Sequence, residues 1–485
     1  MRTIRTAAAL LAGTAMLGAA LAGCGGSGNP THPAGTRPGR ASGPRGSHGA
    51  SGAPAHTLPA GPSAGQAAHP AAAWPAFGGG PQRTGAAAGL PAAGKLSVAW
   101  QRHLDGAVYG QPLVVGGLVI AATENDSVYA LDETTGRIAW RTHLASPVPL
   151  SSLPCGDIDP LGITGTPVYD RADGLVYAVA ETPGYRHVLF GLSVSDGAVR
   201  VERDIPAPDH QPRYDQQRAA LALEDGRVYV AFGGLFGDCG PYIGSVAGVP
   251  ASGSGRIISY LVPTAKGGAI WGTSGPVTGP DGTLYVATGN GAATGGTFDG
   301  SDSVTALSAG LHRTGIFAPS SWAADNSADL DLGSTQPALL PGGLLLQVGK
   351  RGTAYLLRAS RLGGAGGQLT QGPVCPAYGA AAVSGSTVYE PCLNGGMAAV
   401  SVAGSRIRVL WRGPADANGS PVTGGGAVWV TSWPSGVLYE LSPATGAVRE
   451  KISLGAALPH FSSLSLAGSF AFAGTGDGVT AVRGA

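Results

Sequence analysis

The chain has 485 residues, and its 30 Lys and Arg nearly balance 29 Asp and Glu. That balance excludes the basic field that nucleic-acid binding needs. Charged residues are only 12% of the chain, about half the usual share, and Gly (82) and Pro (37) are abundant, which favours short strands joined by turns over long helices.

Taken in chain order, Arg2 and Arg5 precede an apolar run that ends in Leu21-Ala22-Gly23-Cys24. A charged start, a short apolar stretch and small residues before a cut describe a secretory signal over residues 1–23, and the run is too short to span a membrane comfortably. Leu-Ala-Gly-Cys looks like a bacterial lipobox, which implies cleavage before Cys24 and lipidation of its sulfur. The expectation is an extracytoplasmic protein whose only membrane contact is the lipid on Cys24. Residues 24–73 hold almost no large apolar side chains, so they cannot offset the entropy of ordering and read as a disordered Gly/Pro/Ser-rich tether. Residues 74–485 form the foldable part. Its four cysteines, Cys155, Cys239, Cys375 and Cys392, should pair outside the cytoplasm, with three connectivities open.

Next come a lead-in, Trp74 to Gly85, and a strand, Leu96 to Leu104, that precedes the first repeat without a partner of its own. From Val128 to Trp140 a strand leads into an Asp132…Thr135-Gly136 turn and then a second strand ending in Trp. The turn needs Gly136 for a positive φ, and Asp132 can bond its backbone. The phrase returns at Leu438 to Gly446, with degenerate copies near Phe190 to Gly197 and Val304 to Ser308. A second phrase (an apolar pair, a Gly turn, then an apolar-Tyr-apolar strand) accompanies these copies. It recurs about eight times at roughly 40–60 residue spacing, the period of propeller blades. The fold class is therefore all-β: a single β-propeller of about eight four-stranded blades, with Leu96 to Leu104 completing the last one.

These phrases resemble the pyrroloquinoline-quinone (PQQ) type repeat over nearly all of residues 74–485. That family includes quinoprotein alcohol dehydrogenases and non-enzymatic scaffolds such as the lipoprotein of the outer-membrane assembly machinery. The Ala-, Gly-, Pro- and Arg-rich composition suggests a GC-rich actinobacterial source.

In such a blade the start of the innermost strand and the end of the second share one face of the disc. Glu124, Glu181, Asp238, Asn290, Lys350, Cys392, Asn394, Trp433 and Asp477 then fall on that face as ligand-face candidates. Cys155 and Cys375 precede innermost strands, which favours the pairings Cys155–Cys239 and Cys375–Cys392. Trp140 and Trp411 read as core.

Within the resemblance, Asn290 in Thr288-Gly289-Asn290 stands where the dehydrogenases have a calcium ligand, Asp302 where they have the base, and Lys350 where a lysine touches the quinone. Asp238 offers a second calcium ligand, one position out of register, because the family's glutamate falls at Cys239. No two cysteines are adjacent to cover a quinone, no Trp is evident for its other face, and no Cys-x-x-Cys-His provides a c-type haem. The reading is a non-catalytic binding or scaffold lipoprotein with no cofactor, whose partner is another extracytoplasmic protein or a wall ligand. The alternatives are a PQQ- and calcium-dependent dehydrogenase acting on an alcohol, and a cell-wall carbohydrate binder using Trp433, Tyr185 and Tyr242.

Overall fold

The computed structural model describes residues 72–433 and 435–484; the expected signal sequence, the expected lipidation site Cys24 and nearly all of the expected tether lie outside them. Eight antiparallel four-stranded blades follow one another around a ring. Seven are contiguous in sequence, beginning with Leu113–Val115, Leu118–Ala122, Ser127–Asp132 and Ile138–His143 in blade 1. The eighth is composite. Its inner strands Leu464–Ala467, Phe470–Thr475 and Gly478–Arg483 are completed by Ser97–His103, which pairs antiparallel with the last strand (Ser97 opposite Arg483, His103 opposite Gly478). The ring closes as the unpartnered strand anticipated.

The core is a circle of layers between neighbouring blades. Val128 and Ala130 of blade 1 pack with Val176 and Ala178 of blade 2, and Ala382 and Tyr389 of blade 6 pack with Val428 and Val430 of blade 7. A sheet with both faces buried reads as a continuous apolar run, and Leu118–Ala122 (Leu-Val-Ile-Ala-Ala) is one. Outer strands such as Val448–Ser453 are exposed and charged.

The repeat's tryptophan joins blades rather than filling one. The Trp140 indole N–H donates to the Val194 carbonyl at 2.9 Å, on the turn of blade 2. Its ring lies on Gly197, where an added Cβ would come 2.5 Å from Cε3. Trp100 makes the same clasp onto blade 1 (Glu133 carbonyl, 3.0 Å, over Gly136), and Trp411 onto blade 7 (Pro443 carbonyl, 2.9 Å, over Gly446). Trp100 is buried, while Trp140 and Trp411 are half-buried and pack against the core from its edge, so the two indoles expected as core serve as junction pieces between blades. Asp132 holds its turn as anticipated, accepting from the Thr135 N–H at 2.9 Å. The threonine hydroxyls and amides around it draw its pKa down to about 2.

The lead-in crosses the central channel as a strap. Backbone N–H groups on the innermost strands of blades 2, 4, 6 and 7 donate to it: Tyr169 to the Pro75 carbonyl, Thr278 to Pro81, Val383 to Thr84 and Thr423 to Gly85, at 2.7–2.9 Å. Innermost strands otherwise present unpaired edges to the channel, and the strap satisfies them. Phe77 packs at its centre with Ala220 and Ala380, and the buried Arg83 guanidinium donates to the Phe77 and Leu221 carbonyls. Both disulfides form in the favoured pairing, Cys155–Cys239 and Cys375–Cys392. Among the described residues no helix is long and apolar enough to cross a membrane.

Candidate functional site

On the far side of the strap the channel opens into a cavity of about 590 Å³. Its walls come from segments just ahead of innermost strands and from loops that follow second strands. The first group supplies Arg218, Trp271, Tyr378, His460 and Phe461; the second supplies Asp238, Asn290 and Lys350. Neighbouring strands run antiparallel, so these two kinds of segment end on one face of the disc.

Three of the ring-face candidates thus meet in the cavity, and Trp271, Tyr378 and Phe461 join them as a continuous aromatic wall. Their ring centroids lie 5.9–6.3 Å apart, with Tyr378 and Phe461 nearly parallel. Lys350 Nζ sits 5.9 Å from the Trp271 ring centre and 6.0 Å from that of Tyr378. At the other end of the wall the Arg218 guanidinium stacks 5.0 Å over Phe461. Trp271 is the tryptophan that the sequence did not reveal.

The acids beside Asn290 are engaged by one cation. Lys350 Nζ contacts Asp331 Oδ2 and Asp329 Oδ1, each at 2.8 Å. Asp331 Oδ1 accepts from the Asn290 backbone N–H at 2.7 Å, and Asp329 Oδ1 accepts from its side-chain amide at 2.6 Å. Burial opposes a charge on Lys350, but the two aspartates outweigh it and raise its pKa. The Asn290 side-chain oxygen is buried with no partner. Among the described residues no group of three or more His, Cys, Asp or Glu is arranged to hold a metal.

The other candidates lie elsewhere. Asp302, with a left-handed φ of 41°, is buried behind the cavity, where its Oδ1 accepts from the Leu332 N–H at 2.8 Å; burial pushes its pKa up to about 8. The acids that line the cavity are Asp157, Asp238, Asp329 and Asp331. Glu124 and Glu181 are buried between blades. Glu124 accepts from the Gly162 N–H at 2.8 Å, and Glu181 lies 3.4 Å from the His187 Nε2. Asn394 is exposed in a turn, and Asp477 pairs with His103 on the surface at 2.9 Å. Trp433 is half-buried edge-on to His460, at 4.4 Å between ring centres, one residue behind the aromatic wall. Asp238 sits at the mouth and accepts from the Tyr242 hydroxyl at 2.6 Å.

Residues 90–234 match the family model described as outer membrane protein assembly factor BamB. No curated protein matches the sequence. Among solved structures, the quinohemoprotein alcohol dehydrogenase of Comamonas testosteroni is similar with a TM-score of 0.67 at 16% identity, over 84% of this chain and 80% of the enzyme. The chain shares that enzyme's fold. A europium-containing methanol dehydrogenase aligns with a TM-score of 0.62 at 16% identity over 84% of this chain and 90% of its own. BamB of Moraxella catarrhalis aligns with a TM-score of 0.55 at 16% identity over 80% of this chain and 97% of its own. At these identities the propeller architecture carries over and the activities do not.

Proposed function

We propose that this protein is a non-catalytic, extracytoplasmic binding propeller, lipid-anchored through Cys24, whose cavity is the binding site. The observation that carries the reading is the pairing of Lys350 with both Asp329 and Asp331. A calcium ion takes six to eight oxygens, several of them anionic. Here the Lys350 ammonium already neutralises the carboxylates nearest Asn290, and the Asn290 side-chain oxygen is the one free donor beside them. Asp238, the other ligand suggested by resemblance, is taken up by Tyr242. This donor set does not fit a metal-bound quinone, although the aromatic wall would accept a flat ring. The two disulfides are compatible with a location outside the cytoplasm.

The test uses the full-length, oxidised protein with PQQ, calcium, a range of alcohols and an artificial electron acceptor. The expected result is no acceptor reduction and no calcium-dependent rise in Tm. Sustained turnover that is lost in Asn290→Ala would replace this reading with a dehydrogenase.

A further inference from the structure

Arg218 and Asp157 both line the cavity, and neither is paired. Arg218 lies in the segment between Asp215–Gln216 and Ala222–Glu224. Its guanidinium carbon lies 5.0 Å from the centre of the Phe461 ring and 6.0 Å from that of Tyr109. Its buried Nε has no hydrogen-bond partner, and no carboxylate lies within ion-pair distance among the described residues. Burial lowers its pKa, and Asp157 is the first charge that opposes the shift. The group remains cationic, because an arginine does not lose its proton under ordinary conditions. A partly buried guanidinium with no anion is costly unless a ligand supplies one.

Asp157 lines the same cavity as Arg218 from an exposed loop, two residues after Cys155. The Cys155–Cys239 bridge fixes that loop against the Asp238 side of the opening. The Asp157 charge opposes the effect of burial at Arg218, and the two side chains form no ion pair. Of the other charges around the cavity, only Lys350 is neutralised within the site, and Asp238 and Lys266 lie exposed at the rim. Lys350 is closed on Asp329 and Asp331, and Asp238 holds Tyr242. The cavity thus has a half-buried cation at its base, Asp157 among exposed charges at its mouth, and an aromatic wall running away from the cation.

We infer that the cavity binds a free aromatic α-amino acid: its carboxylate on the Arg218 fork, its ammonium on Asp157, and its ring against Phe461, Tyr378 and Trp271. The inference rests on the proposed binding role of the same cavity and names the ligand class. A planar guanidinium suits a two-oxygen anion, since it can donate two parallel hydrogen bonds. The volume of about 590 Å³ admits a side chain of this size with water around it. No metal is required, so binding is indifferent to a chelator.

Isothermal titration of the full-length oxidised protein with L-phenylalanine, 3-phenylpropionate and 2-phenylethylamine tests this. L-phenylalanine should bind at least about tenfold more tightly than either fragment, because each fragment leaves one charged group of the site without a partner. Arg218→Gln should reduce L-phenylalanine to the level of phenylethylamine, and Asp157→Asn to the level of phenylpropionate. Should Arg218→Gln not fold, Arg218→Lys keeps the charge without the fork and should still weaken binding. Asp157 lies in an exposed loop, so its variant provides an independent arm. No heat with L-phenylalanine at millimolar concentration, equal affinity for all three compounds, or affinity unchanged in either variant would overturn the inference. The titration contains neither quinone nor electron acceptor, so its failure is distinct from the turnover that would overturn the binding reading.

Discussion

Replacing Gly197 by Ala tests the clasp that joins blades 1 and 2. Gly197 has a φ of 71°, where a side chain costs about 1–2 kcal/mol. Its new Cβ would also lie 2.5 Å from the Trp140 ring, an overpacking worth a further ~1–3 kcal/mol. The expected loss is about 2–5 kcal/mol in total. Gly226→Ala is the control: its φ is 66°, nothing lies within 4 Å of the added carbon, and it should lose only the backbone part. In a Trp140→Ala background the ring is gone and only the 2.8 Å approach to the Thr142 hydroxyl remains, so the loss from Gly197→Ala should fall towards that of Gly226→Ala. The assay is guanidinium unfolding of the oxidised protein followed by circular dichroism, with the coupling read from the double-mutant cycle. Equal losses for Gly197→Ala and Gly226→Ala, or a Gly197→Ala loss undiminished without Trp140, would refute the clasp.

Lys350→Met should cost about 3–5 kcal/mol by leaving Asp331 buried without its counter-charge, and adding Asp331→Asn should restore much of the loss in the same unfolding assay. Glu390 is buried with one oxygen unpartnered, and burial pushes its pKa from 4.5 up to about 8. The folded state therefore holds a proton that the unfolded chain releases. The stability this gives is complete below about pH 4.5 and is lost as pH rises towards 8, by up to about 1.4 kcal/mol per pH unit. Glu390→Gln should match the wild type near the acid end, exceed it at the alkaline end, and flatten the Tm profile. Removing Cys155–Cys239, which spans 84 residues, should cost about 4.5 kcal/mol, and removing Cys375–Cys392, which spans 17, about 3 kcal/mol, on the loop-entropy scale, as measured by paired Cys→Ala unfolding.

The architecture was legible because it is periodic. An Asp…Thr-Gly turn followed by Trp is a local pattern, and a strand with no blade of its own, Leu96 to Leu104, has one place to go in a closed ring. The same geometry brought Asp238, Asn290 and Lys350 together, since each follows a second strand. The aromatic wall was missed because only residues after second strands were collected as a set. Trp271, Tyr378, Phe461 and Arg218 each precede an innermost strand, the position class that had placed Cys155 and Cys375 correctly. Extending that argument from cysteines to every residue in the class would have found them. Glu124 and Glu181 were placed by chain position alone, and position does not reveal that a side chain turns inward between blades. Trp140 and Trp411 read as core because a recurring indole matches a packing residue in any single blade; its true neighbour is in the next one.

The composite eighth blade makes the ring a test of completeness. Ser97–His103 is synthesised before any blade, yet its partner Gly478–Arg483 ends the described chain. Until that partner arrives, an exposed strand edge waits at each end of an open arc. A chain cut short anywhere in the propeller would lack the seam and keep both edges open, a sticky form that quality-control proteases can recognise. A finished chain hides both in a single step. Linking the two seam strands directly and opening the ring between two other blades should therefore move the seam without altering the disc.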